Sequence, residues 1–174
     1  MFRLTPPPGK GLWAAQVLYT FQNQSDGAFP SAGFVFDAKG NLYGSTSGSD
    51  SVAGNVFELT PSGGGDWTES VLVDFWNDGI VVFPPQGPIM DAEGNLYGAT
   101  DEGGADAKGF VYKAARKKGV WAEKTLHDFT GGADGNRSLA GLLVGKDGAL
   151  YGTTSEGGAG SCPDGCGTVF RITR

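Results

Sequence analysis

From Trp67 to Phe75 the chain reads Trp-Thr-Glu-Ser-Val-Leu-Val-Asp-Phe, with large residues falling at alternate positions. That is the period of a β-strand with one buried face. The same kind of segment runs from Trp13 to Phe21 and from Trp121 to Phe129. Three more short segments accompany it. Ala32 to Phe36 is echoed by Gly87 to Met90 and by Gly141 to Val144. A tight turn follows each: Asp37-Ala38-Lys39-Gly40, Asp91-Ala92-Glu93-Gly94 and Lys146-Asp147-Gly148. Its glycine supplies the positive φ that such turns require. A second strand is predicted over Asn41 to Thr46 and its copies, then a Gly-rich loop. A third covers Asn55 to Thr60, Gly109 to Lys113 and Gly167 to Thr173. No segment carries the 3.6-residue period of a helix.

These segments recur. Trp13, Trp67 and Trp121 are spaced 54 residues apart, as are Phe21, Phe75 and Phe129, and Gly33, Gly87 and Gly141. Leu42-Tyr43-Gly44, Leu96-Tyr97-Gly98 and Leu150-Tyr151-Gly152 keep the same period. Phe2, Phe57, Tyr112 and Phe170 drift slightly, which places the length variation in the loop after Leu-Tyr-Gly. Four strands per repeat at this period is the pattern of a β-propeller blade. Helical and leucine-rich solenoids fit worse, and a β-sandwich does not repeat so regularly. The expectation is an all-β chain forming one repeat domain over residues 1–174. Its units are 1–21 (a partial blade), 22–75, 76–129 and 130–174 (a blade without its outer strand).

The run Gly152-Thr153-Thr154-Ser155-Glu156-Gly157-Gly158, then Gly167-Thr168-Val169-Phe170-Arg171-Ile172-Thr173, resembles the GloVer tandem-repeat family of bacterial surface and secreted proteins. Asn95-Leu96-Tyr97-Gly98-Ala99-Thr100 with Glu102-Gly103-Gly104 is a second match. The first unit departs, with Ser45-Thr46-Ser47-Gly48 and no double glycine. The resemblance covers essentially the whole chain. It implies a propeller-like fold and an extracellular or cell-surface home, and it transfers no chemistry to any residue.

Composition narrows the partners. With 31 Gly and 9 Pro the chain is turn-rich, yet 39% hydrophobic residues exclude a disordered linker. A net charge of −6 disfavours nucleic acid. No apolar run approaches the roughly 18 residues of a membrane span, so no membrane partner is expected. The first residues show no basic-then-apolar leader, so no signal peptide is expected within this chain. Closed propellers carry about 4–8 blades, so three leave open edges. A homodimer making six blades or a homotrimer making nine would close the ring head to tail.

Topology would gather the long loops on one face. They carry Asp26, Asp50, Asp78, Asp101, Glu102, Asp106, Asp134, Glu156 and Asp164 against Lys108 and Arg137. Such an acidic mouth suits cations, Ca²⁺ among them, or a small-molecule or glycan ligand. Asp26-Gly27 and Asp134-Gly135-Asn136 resemble fragments of calcium loops without the full pattern, so no metal site or other cofactor is assigned. Trp76, which has no counterpart in the other units, makes Trp76, Asp78, Phe83, Asp26, Asp134 and Arg137 the candidate ligand-binding set. Carboxylates also serve glycoside or ester hydrolysis, for which Glu102, Glu156 and Asp134 are the catalytic candidates. The leading expectation is a ligand-binding scaffold, carbohydrate being one candidate ligand; the alternative is a hydrolase, with or without a bound cation. His127, the one histidine, falls on a strand face and reads as structural. Cys162 and Cys166 read as a loop disulfide of an oxidising compartment. Tryptophans at one phase per unit read as sheet-to-sheet core.

Overall fold

The computed structural model describes residues 1–30, 33–49, 52–77, 80–82 and 84–173, with the backbone alone at 76, 77, 80 and 81. Every element among them is a β-strand. β1 (Phe2–Thr5) and β2 (Ala14–Val17) form a hairpin. β3 (Val35–Phe36), β4 (Leu42–Thr46), β5 (Asn55–Gly63) and β6 (Asp66–Asp74) form a four-stranded antiparallel meander. A small hairpin, β7 (Trp76–Asn77) with β8 (Ile80–Val81), follows. The meander then recurs as β9 (Ile89–Met90), β10 (Leu96–Ala99), β11 (Phe110–Lys117) and β12 (Val120–Asp128). The last sheet has three strands, β13 (Leu143–Val144), β14 (Leu150–Thr154) and β15 (Thr168–Ile172). The chain is thus all-β, in separate open antiparallel sheets. Among the described residues no helix is long and apolar enough to cross a membrane.

Register explains the repeated Leu-Tyr-Gly. Each glycine faces the large ring of the third strand: Gly44 opposite Phe57, Gly98 opposite Tyr112, Gly152 opposite Phe170. A Cβ on Gly44 would sit 2.6 Å from Phe57 Cζ. The ring lies across the glycine, and only a missing side chain admits it. Each neighbouring tyrosine meets a different polar partner at one register position. Tyr43 Oη donates to Glu58 at 2.7 Å, Lys113 Nζ lies 5.4 Å from the Tyr97 ring centre, and Arg171 Nε donates to Tyr151 Oη at 3.2 Å.

The first turn is held by its aspartate. Asp37 Oδ1 accepts from the Lys39 and Asn41 amides, and Oδ2 from Tyr43 Oη. Asp91 does the same for Glu93, Asn95 and Tyr97. Gly40 and Gly94 carry φ of 85° and 80° as expected. In the third copy Asp147 serves from a shifted position, and hydrogen bonds from Arg171 pull its carboxyl down to about 2.

The inner strands β3, β9 and β13 have two residues each, shorter than the pattern predicts; Ala32 lies outside the described residues. Pro88, which cannot donate to a ladder, precedes β9 directly.

Sheets pack face on face. Val56, Val73 and Phe75 of one unit meet Leu96, Phe110 and Tyr112 of the next, and Trp121 packs against this cluster. Val111 and Phe129 meet Leu142 and Leu150 in turn. Trp67 packs on a smaller cluster of Leu42, Phe57 and Leu59 with Met1, Tyr19 and Phe21. Trp67 and Trp121 thus pack, partly buried, against the core clusters, while Trp13 is 58% exposed.

Candidate functional site

The loops between second and third strands are set by one threonine each. Thr100 Oγ1 accepts from the Phe110 amide and donates to the Glu102 carbonyl. Thr154 Oγ1 does the same for Thr168 and Glu156. Glu102 and Glu156 therefore occupy equivalent corners of successive sheets. Glu102 is exposed, whereas Glu156 is half-buried and accepts from Asn136 Nδ2 at 2.8 Å. The structure gives no contact between the two glutamates.

The loops after the fourth strands are held by Asp26 and Asp134. Asp26 is buried and accepts from the Gln22 and Gln24 amides and from Tyr19 Oη. Asp134 accepts from the Thr130 amide and hydroxyl, and His127 Nε2 lies 3.1 Å from its Oδ2. Burial alone would raise the Asp134 carboxyl. Hydrogen bonds from Thr130, its own loop and His127 more than reverse that and hold it below the ordinary range. Gly135, at φ 104°, lies so close to Thr154 and Thr168 that no Cβ fits. The Asp-Gly pairs are docking turns, and their carboxylates are engaged in holding them. Among the described residues no three His, Cys, Asp or Glu side chains converge on a metal position.

Arg137 is placed differently. Its φ of 58° is shared by the equivalent Phe29 at 54°. A side chain in this region costs about 1 kcal/mol or more over glycine. Arg137 Nη1 lies 3.5 Å from Glu156 Oε1, and Nη2 lies 3.9 Å from Asp101 Oδ2 in the preceding unit. These long, half-exposed pairs contribute about 0–1 kcal/mol each, so they do not clearly offset the strain. Burial pushes the Asp101 carboxyl up and Glu102 adds to it, while Arg137 partly opposes. Asp101 Oδ1 is buried with no hydrogen-bond partner in the described structure.

Beside this group lies a polar cleft of about 450 Å³, lined by Lys108, Asn136, Glu156, Asp164 and the Cys162–Cys166 loop. The two cysteines are bonded to each other, as their spacing suggests. Of the other candidates, Asp50, Asp78 and Phe83 lie outside the described residues. Trp76 is described only as backbone, where a hairpin replaces the expected loop. Among the described residues no hydrogen bond or ion pair joins Asp26 or Asp134 to Arg137 or Glu156.

Sequence reading missed a second acidic cleft of about 470 Å³ lined by Asp74, Glu123 and Asp128 between the first two complete sheets. Burial raises the Glu123 carboxyl there, and the Asp128 charge adds to it. Its one signal was Asp74 and Asp128 recurring one period apart.

A family model described as the Gloeobacter/Verrucomicrobia repeat matches residues 1–174. No curated protein matches the chain.

Proposed function

This chain belongs to the Gloeobacter/Verrucomicrobia repeat family, and from that footing we propose a β-propeller scaffold, working outside the cell, that binds a carbohydrate on its loop face. The observation that carries the reading is Arg137. It sits in a strained conformation and reaches across two units to Asp101 and Glu156, beside a cleft lined by side chains of both polarities. Lys108 and Asn136 of the lining donate, Glu156 and Asp164 accept, and Arg137 bears on the cleft through its pair with Glu156. A polyhydroxylated ligand needs both, because each sugar hydroxyl donates and accepts. The disulfide supports an oxidising compartment. Binding is preferred to hydrolysis because Glu156 lines this cleft and its repeat equivalent Glu102 is not among the lining residues, whereas glycoside hydrolysis calls for a pair of carboxylates at one site. Calorimetric titration with a panel of oligosaccharides tests the reading. Binding weakened by Arg137→Ala, with no new reducing ends, is expected. Turnover abolished by Glu156→Gln would overturn it.

In this reading each four-stranded sheet is a blade, and a second or third copy closes the ring. Support comes from one repeated position. Val56 and Val111 are 0% exposed, each covered by the next sheet, whereas the equivalent Val169 is 80% exposed. The free edge of β15 has the place that β6 and β12 fill on β5 and β11. The β2 strand of another copy has the matching sequence phase. β1 and β15 are the same strand of the repeat, so one of them gives way at such a junction.

A further inference from the structure

At the turn end of the sheets, opposite the long loops, a cleft of about 590 Å³ runs between the first and second complete sheets. Tyr43 and Trp121 line it with their ring centres 6.2 Å apart and tilted, and Met90 lies beside them. Phe36 adds a third ring, 58% exposed at a position where the other units carry Met90 and Val144. Lys39 and Glu93 stand at equivalent places on the two turns and bring opposite charges to the rim. Arg116 adds a guanidinium steadied by its Nε bond to the Gly119 carbonyl at 3.1 Å.

We infer that this cleft is a binding site for a neutral pyranose oligosaccharide, with the Phe36 and Trp121 side chains as its apolar walls. Aromatic faces suit the C–H face of a pyranose, and the rim offers donors from Lys39 and Arg116 and an acceptor from Glu93. The charges set the ligand class. Lys39 and Arg116 stand against Asp37, Asp91 and Glu93, so the cleft has no strong net field for a phosphate or a polycation. Asp37 and Asp91 are bound to their own turn amides and tyrosines. They fix the two turns in place, so binding here costs little ordering. The site needs walls from two successive units, and it is independent of the loop-face reading.

The test is calorimetric titration of the 174-residue chain with maltohexaose, cellohexaose and chitohexaose, alongside tryptophan fluorescence. At least one sugar is expected to bind and to change the fluorescence. Phe36→Ala, an exposed position, is expected to weaken binding about tenfold, and Lys39→Ala to weaken it in the same direction. Trp121→Phe keeps a ring in the core and is expected to abolish the fluorescence response. The inference is overturned if no sugar binds at millimolar concentration, or if Phe36→Ala leaves binding unchanged. It is equally overturned if Arg137→Ala removes all binding, which would put the sugar on the loop face.

Discussion

His127 Nε2 lies 3.1 Å from Asp134 Oδ2, and two repeat lengths earlier Tyr19 Oη makes the same link to Asp26 Oδ2 at 3.2 Å. The intervening unit carries Val73 and Ile80 at these positions. The link ties the loop after the fourth strand back to that segment in both copies that have it, which marks it as a loop fastener. Asp134→Ala is expected to cost about 1 kcal/mol, since it removes the bonds to Thr130 and His127 but leaves the exposed Thr130 donors to water. Chemical denaturation of the variant beside the parent chain checks this.

Asp37, Asp91 and Asp134 are all held below the ordinary carboxylate value by hydrogen bonds that outweigh their burial. Their contribution is present above the unfolded value of about 4 and is lost as pH falls through the folded values. Glu69 runs the other way. Burial, with the Asp26 charge adding, pushes its carboxyl up to about 7, and its Oε1 has no hydrogen-bond partner in the described structure. The folded state holds that proton more tightly between pH 4.5 and about 7, so stability falls as pH rises through this range. Glu69→Gln should therefore stabilise the chain at pH 8 by about 1 kcal/mol after allowing for solvent screening, and change little at pH 4. Melting temperatures of both proteins at the two pH values decide it.

Tyr112 is fully buried, and its hydroxyl has no partner in the described structure. The equivalent residues Phe57 and Phe170 have no hydroxyl. Removing a stranded polar group without changing the ring should stabilise, so Tyr112→Phe is expected to add about 1 kcal/mol. A lower denaturation midpoint would show that the hydroxyl is satisfied in solution.

Static light scattering at two concentrations addresses the proposed ring. A mass two or three times the 18.0 kDa of one chain is expected at both. A persistent monomer would contradict closure by a second copy.

Much of this architecture could be read from the chain because its determinants are local and repeated. Leu-Tyr-Gly announces both a strand and the ring that must cross its glycine, and Asp37 with Gly40 announces a turn. The site was less legible because its determinants are neither. Arg137 looks like any loop arginine until its positive φ and its reach to Asp101 are seen. Both depend on how two sheets stack. Asp26 and Asp134 were read as ligand candidates, yet their partners Tyr19, just past β2, and His127, near the end of β12, lie seven residues upstream, and no local pattern pairs them with the loop that follows. The cleft at Phe36 and Trp121 was hidden for the same reason: its walls come from different units.

The most direct test of the ligand-binding account is amide chemical-shift mapping of the ¹⁵N-labelled chain during titration with an oligosaccharide that binds. The account predicts shifts at Lys108, Asn136, Arg137, Glu156 and Asp164, a set distinct from any shifts at Phe36, Lys39 and Trp121 that binding in the turn-end cleft would give. Binding with all of these amides unmoved would contradict it.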